Sequence, residues 1–335
     1  MLADRHRTVE REGQTVAVLP PPNVLSPALQ PERKRLCIEP PVPPTWALPD
    51  LDAFELPPLT NGRTLRVVTW NVWFAPIDAD ERMAALFKEA LAAAPDVICL
   101  QEVVPELAAH IRGCAVLRKV YSISDNDVGA YGCLLFVRWS LRATFCEVAL
   151  PSHMGRSLLV ATWTPPFTEG SVAVATVHLE SLNSAPRRAK QLQVARDALQ
   201  PHAHALLLGD FNFDSTQNFG DWCAIPPRPP RLSQGARRLE NGVLADVMCD
   251  YLDVWPALRP AESGHTFDGG SNPHVGDPHE RMRYDRVMTR GVTPVEISML
   301  GERPRGPSEG EVAAEGSEAG PVPSDHYGLC AILQL

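Results

Sequence analysis

The chain has 335 residues and a formal net charge of −9, which excludes holding nucleic acid by bulk positive charge but leaves room for a local basic groove. A hydrophobic fraction of 44% can fill a sizeable core and excludes full disorder. No apolar run approaches the ~18 residues of a membrane span, and Met1-Leu2-Ala3-Asp4-Arg5-His6-Arg7 lacks the apolar stretch of a signal peptide. The expectation is an intracellular protein of nucleus or cytoplasm with no membrane partner. Eight cysteines without a CxxC pair, several inside apolar runs such as Val97-Ile98-Cys99-Leu100, read as buried thiols in a reducing compartment.

Thirty-three prolines are about twice the usual ~5% share, so many must sit outside regular elements. From Leu19 to Pro58 they recur as Pro20-Pro21-Pro22, Pro40-Pro41, Pro43-Pro44 and Pro57-Pro58. Proline fixes φ and removes a donor, so residues 1–62 read as an extended arm or linker through which protein partners could bind. Arg33-Lys34-Arg35 within it reads either as a nuclear import signal or as a solvated charge cluster. Residues 63–335 form the second part, a single domain.

Leu65–Asn71 opens that domain as a buried strand rich in β-branched and aromatic residues. Met83, Leu86, Phe87, Ala90 and Leu91 then recur at helical spacing, with Asp80 as N-cap and Pro95 beyond the end. Strands are predicted at Val97–Gln101, Gly132–Val137, Leu158–Trp163, Val172–His178 and Ala205–Leu208, and later at Tyr284–Thr289, Val295–Met299 and Gly328–Leu333. Helices are predicted near Glu106–Ile111 and from the Ser184 cap through Pro186 to Leu199. Pro226–Pro230 reads as a surface loop and 301–323, rich in Gly, Pro and Glu, as a mobile insertion. Strands outnumber and alternate with helices, which favours an α/β layered architecture with mixed sheets.

Polar residues fall at the ends of these apolar strands. LRVVTW ends in Asn71, DVICL in Gln101-Glu102, SVAVATV in His178 with Glu180 and Ser181 beyond, and ALLLG in Asp210 with Asn212. Asp285 opens one late strand, and Ser324-Asp325-His326 precedes the last. Singly, each has a plainer reading: Asn71 as a turn former, Glu102 as a helix cap, Asp210 and Asn212 as an Asx-turn. Coincidence at six strand ends is much less plausible. Rigid strands that project carboxylates, an amide and imidazoles into one crevice suit a hard cation such as Mg²⁺ and a phosphate.

The residues also carry a resemblance. Thr69-Trp70-Asn71, Leu100-Gln101-Glu102-Val103, His178-Leu179-Glu180-Ser181, Gly209-Asp210-Phe211-Asn212, Tyr284-Asp285-Arg286 and Ser324-Asp325-His326-Tyr327-Gly328-Leu329 follow the order of the endonuclease/exonuclease/phosphatase superfamily. Within it the chain is most similar to the tyrosyl-DNA phosphodiesterase branch, through HLES followed by Gln191-Leu192, Asp253-Val254-Trp255, His265-Thr266-Phe267-Asp268 and the ending SDHYGL.

The resemblance implies a four-layer α/β sandwich, with two mixed, largely antiparallel sheets flanked by helices. It implies a phosphodiesterase using Mg²⁺, with Mn²⁺ as the alternative. Glu102 is then the principal metal ligand, and Asp325 serves a second metal position or acts through water. Asp210 is the general base, Asn212 positions water or phosphate, and Asn71 adds an amide contact. His326 is oriented and kept cationic by Asp285, and His178 holds another phosphate oxygen. Water cuts the bond in one displacement, with no covalent intermediate.

The implied partner is a single-stranded or frayed DNA 5′ end bearing a topoisomerase-derived tyrosine, a substrate of DNA repair. Ser181, Arg281 and Arg283 are candidate substrate contacts, while Arg187, Arg188 and Lys190 read either as strand contacts or as a solvated helix face. One position departs from the branch, which carries an arginine two residues after the GDxN asparagine. Here it is Asp214: if the position is equivalent, its replacement by arginine is expected to strengthen substrate binding, and the alternative is that Asp214 faces away, the replacement is silent and Arg283 or Arg281 fills the role. The alternatives are another phosphoesterase of the superfamily (an inositol-phosphate or lipid phosphatase, or a nuclease) and a non-catalytic interaction protein.

Overall fold

The computed structural model describes residues 44–51, 63–224, 238–303 and 321–335. The Arg33-Lys34-Arg35 cluster, the Pro226–Pro230 loop and most of 301–323 lie outside them. In chain order the elements are β1 (Thr64–Asn71), α1 (Ala79–Ala92), β2 (Val97–Val103), α2 (Pro105–Gly113), α3 (Ala115–Val120), β3 (Tyr121–Ile123), β4 (Gly132–Arg138), β5 (Thr144–Ala149), β6 (Ser157–Trp163) and β7 (Val172–His178). There follow α4 (Ala185–Leu199), β8 (His204–Asp210), α5 (Gly242–Val247), β9 (Leu252–Asp253), α6 (Val254–Leu258), β10 (Phe267–Asp268), β11 (Arg281–Met282), β12 (Asp285–Arg290), β13 (Thr293–Leu300) and β14 (Gly328–Gln334).

Every strand expected from the sequence is present. β5 was not legible, because it is a half-exposed edge strand without an apolar period. The two-residue strands and short helices are below the length that periodicity resolves.

Twelve of the described strands form two six-stranded sheets, ordered β13-β14-β1-β2-β4-β3 and β5-β6-β7-β8-β12-β9, and β10 pairs with β11 in a separate two-stranded sheet. Each six-stranded sheet has one parallel pair, β1/β2 and β7/β8, and its other pairings are antiparallel. The parallel pairs are joined through α1 and α4, because a parallel connection needs a crossover. Leu65, Val67, Val97, Cys99, Leu206, Leu208 and Val287 pack between the sheets. Val68, Trp70, Ile98 and Leu100 face α1 and α2 on one outer side. Ala175, Val177 and Leu207 meet Leu192, Ala195 and Leu199 of α4 on the other. The alternation along β1 therefore sorts its side chains into two cores, which gives four layers.

Two details differ from the expectation. The cap position of α1 is Asp78, in the left-handed region, and not Asp80. The Asp80 carboxylate instead accepts hydrogen bonds from Thr45 N, Thr45 Oγ1 and Ala47 N at 3.3, 3.0 and 3.0 Å. Part of the proline-rich stretch thus packs on the domain: Trp46 and Leu51 are buried in the core beneath α1. The described cysteines are free thiols, with Cys99, Cys133 and Cys330 buried. Among the described residues no helix is long and apolar enough to cross a membrane.

Candidate active site

The two parallel pairs decide where the polar strand ends meet. In β1/β2, Asn71 lies opposite Gln101; in β7/β8, His178 lies opposite Asp210. Antiparallel neighbours add their beginnings at the same edge: Asp285 of β12 is also opposite Asp210, and β14 starts beside the end of β1. The sheets are then tied across the crevice by Asn71 Nδ2, which donates to Asp210 Oδ2 at 3.1 Å. Gln101 stays below this level. Its Nε2 donates to Thr176 Oγ1 and Thr69 Oγ1 at 2.9 and 3.1 Å, so it joins the sheets and does not face a substrate.

The backbone is unusual at this edge. Trp73, Leu182 and Asn212, on the loops after β1, β7 and β8, and Glu102, near the end of β2, all have positive φ. Such conformations cost non-glycine residues energy and concentrate at functional sites. At Glu102 the cause is a bulge: the β2/β4 register shifts between Leu100 and Val103, which re-aims the Glu102 side chain. Gly209, with φ of 131°, lets β8 approach β7 just before Asp210; a Cβ there would lie 2.0 Å from the Val177 carbonyl oxygen.

Asp210 is nearly inaccessible and ringed by donors. Besides Asn71 it accepts from Asn212 N at 2.8 Å, and His178 Nε2 and His326 Nε2 lie 3.4 and 3.9 Å away. Asn212 turns its own amide to the Leu179 carbonyl at 3.0 Å. His326 Nδ1 lies 2.7 Å from Asp285 Oδ2. Burial works against a charge on His326, but the Asp285 carboxylate overcomes it and holds the imidazole well above the ordinary histidine range. His178 goes the other way, pushed down to about 3 chiefly by burial, so at neutral pH it is uncharged.

Two carboxylates complete the crevice. Glu102 Oε2 accepts from Phe74 N at 3.1 Å, and its Oε1 lies 3.8 Å from His178 Nε2. Burial raises its pKa, with Asp210 adding repulsion. Asp325 is raised to about 7, mainly by burial and further by Glu102. The positive charge of His326 acts on both carboxylates, and that of Arg82 on Asp325, yet burial still leaves both raised, and a bound divalent ion would offset that cost. Among the described residues no group of three or more His, Cys, Asp or Glu side chains converges on one point. A donor set of two carboxylates suits Mg²⁺, which keeps several waters.

The cations are not where the sequence suggested. Arg283 is buried, with both terminal nitrogens on the Asp253 carboxylate at 3.0 and 2.8 Å, so it is no free phosphate contact. Arg286 shares the same carboxylate at 2.8 Å. Arg188 is buried against Glu240, and Arg187 lies 3.5 Å from Glu180. Arg281 remains at the surface, 3.3 Å from Asp268. Asp214 is buried and accepts from Arg283 N, Thr216 N, Thr216 Oγ1 and Gln217 N. It organises its own loop, which removes the reason to expect that arginine there would improve binding.

Among the described residues, the arginine that does reach the crevice is Arg156, which no motif of the sequence contains. Its Nη2 lies 3.3 Å from His178 Nε2 and 3.2 Å from Ser181 Oγ, and its guanidinium sits 5.0 Å from the Tyr131 ring centroid. Beside it is a cavity of about 220 Å³ lined by Tyr131, Met154, Arg156 and His178. The only sequence signal was the arginine that follows Gly155 in the turn before β6.

Residues 68–326 match the Endonuclease/Exonuclease/phosphatase family. The chain belongs to that family. Its similar relatives include tyrosyl-DNA phosphodiesterase 2 of Xenopus laevis, 26% identical over 271 residues that cover 78% of this chain and 64% of that protein. The Danio rerio protein of the same name is 26% identical over 282 residues, covering 79% and 65%. The chain thus spans less than two thirds of the length of these two relatives. The human one is 23% identical over 290 residues. A crystal structure of the D. rerio protein complexed with single strand DNA product superposes with a TM-score of 0.61 at 24% identity, covering 81% of this chain and 99% of that one. The Caenorhabditis elegans structure gives 0.60 at 22%, covering 82% and 76%. For this member of the endonuclease/exonuclease/phosphatase family, these superpositions establish the two-sheet sandwich.

Proposed function

We propose that this chain is a divalent-metal-dependent phosphodiesterase that hydrolyses the bond between a tyrosine phenol and a DNA 5′ phosphate. The observation that carries the chemistry is the Asn71–Asp210 hydrogen bond across the two sheets. It places a carboxylate between two imidazoles of opposite protonation state, next to Glu102. The names of the relatives support the substrate class.

Glu102 and Asp325 would hold Mg²⁺ or Mn²⁺, which when bound polarises a phosphate oxygen and stabilises charge on the leaving oxygen. Asp210, fixed by Asn71 and by the Asn212 amide N–H, takes a proton from the attacking water. The water oxygen bonds to phosphorus, the bond to the phenol oxygen breaks, and phenolate leaves with that electron pair. His326, held cationic by Asp285, donates to the oxygens that gain charge. Neutral His178 can donate only from a single nitrogen, so it orients the phosphate without adding charge. Arg156 supplies the permanent positive charge on that side, with Ser181 as its partner.

The deciding experiment is hydrolysis of a 5′-tyrosyl oligonucleotide with Mg²⁺ and its loss on addition of EDTA. Activity on a phosphoinositide panel with none on the tyrosyl end would retain the chemistry and overturn the substrate.

A further inference from the structure

The core-facing side of α1 contains one residue out of keeping with its neighbours. Ala79, Met83, Leu86, Phe87, Ala90 and Leu91 are buried apolar side chains, and Arg82 among them is wholly inaccessible. Among the described residues no carboxylate accepts from it. Its five N–H groups are all used on backbone carbonyls. Nε donates to Ile77 O at 2.8 Å, Nη1 to Val72 O and Pro323 O at 3.1 Å each, and Nη2 to Trp73 O and Ala75 O at 3.3 and 2.6 Å.

Four of those acceptors lie in the irregular loop after β1, and the fifth directly precedes Ser324-Asp325-His326. The first loop supplies the Phe74 N–H that binds Glu102, and the second supplies Asp325 and His326. A second link runs in parallel: the Arg82 guanidinium lies 4.6 Å from the Trp73 ring, Trp73 packs 4.8 Å from His274, and His274 Nε2 lies 3.0 Å from Val322 O. We propose that Arg82 is a positioning residue of this site, a buried guanidinium that clamps the Glu102-binding loop to the Asp325–His326 loop and so sets the geometry of the reacting groups.

The physical reason is carbonyl satisfaction. A loop without regular structure has no ladder for its C=O groups, and buried carbonyls left unpaired are costly. An apolar side chain would bury more cheaply at this point of α1. It could not cross from one loop to the other. Loss of Arg82 frees both loops at once, whereas a purely local role would loosen only residues 72–77.

The test rests on the phosphodiesterase reading and uses the full chain as Arg82→Lys and Arg82→Met. Turnover of a 5′-tyrosyl oligonucleotide is measured beside hydrogen exchange of residues 72–77 and 322–326. In R82M, kcat is expected to fall about 10²-fold, the scale of a misplacement near 1 Å, with KM changing less than about threefold because no substrate contact is removed. R82K, which keeps charge but has too few donors for five carbonyls, should fall in between, and exchange should quicken in both loops together. If R82M fails to fold, R82K decides. Wild-type kcat in a folded variant, a change confined to KM, or faster exchange in 72–77 alone would each overturn the proposal. A wild-type chain without activity on the ester would count against the phosphodiesterase reading, and the two-loop exchange would still decide the clamp.

Discussion

Asp285 and Arg286 are neighbours in β12, so their side chains point to opposite faces and enter two different clusters of buried charge. On the Arg286 side the charges are matched. Asp253 accepts from Arg283 and Arg286, and Asp214 accepts from the backbone of three residues. Burial would raise both carboxyls, but the arginines at Asp253 and the hydrogen bonds at Asp214 hold them below the usual range.

On the Asp285 side the matching fails. Glu102 and Asp325 are pushed up and His178 is pushed down. Among the described residues, His178 Nδ1, Asp285 Oδ1 and Arg156 Nε have no protein partner. The first cluster is complete without a ligand, apart from Arg286 Nε. The second has buried groups that a metal and a phosphate would satisfy. The contrast separates a charge cluster built for stability from one built for chemistry, although both are equally hidden from water.

The largest effect should come from the mismatched side. Asp210→Asn is expected to lower turnover by about 10²–10⁴-fold while leaving the melting temperature near that of the wild type and oligonucleotide binding no weaker. Kinetics and thermal unfolding on one preparation check both halves. A mutant that keeps its turnover number but loses binding would make Asp210 a binding group and not the base.

The matched side should answer in stability. Asp253→Asn leaves Arg283 and Arg286 without their anion, and breaking a buried pair costs about 3–5 kcal/mol, measurable by denaturant unfolding. Because the folded pKa of Asp253 is depressed, its contribution is present above the unfolded value near ~4 and lost as pH falls through the lower folded value. The gap between wild type and D253N should therefore narrow below about pH 4. A gap that widened in acid would mean that Asp253 is not the residue holding this cluster.

Asp214→Arg sharpens the comparison from within the matched cluster. It leaves the Arg283, Thr216 and Gln217 donors without an acceptor, and about 1–3 kcal/mol of stability should go, with no fall in KM for a tyrosyl-DNA end. A lowered KM would restore the reading of this position as a phosphate contact. Arg281→Ala should matter least. Its exposed pairing with Asp268 is worth about 0–1 kcal/mol, and titration with single-stranded DNA at two salt concentrations would reveal any larger share in binding.

The central strands were legible because β-branched apolar runs that end in turn residues are a local property. So was the list of Asn71, Glu102, His178, Asp210, Asp285 and His326, since each sits where such a run begins or stops. Their order along the chain was enough to point to the family. The pairing that keeps His326 cationic on Asp285 was anticipated through the family resemblance, but the roles of the arginines were not. Arg283 was expected at the phosphate because it adjoins Asp285, but it is taken by Asp253, 30 residues earlier. Arg156 reaches the crevice and Arg82 clamps two loops, yet in sequence each is one arginine in an ordinary stretch. A side chain's charge state and availability depend on burial and on partners, and those partners can be distant: Arg82 meets Pro323 across 241 positions. Local sequence determined the strands and the residues at their ends, because propensity and side-chain alternation act over a few residues. Only the closing of two sheets on one crevice decided which of those groups are paired, which are neutral and which are left for a ligand.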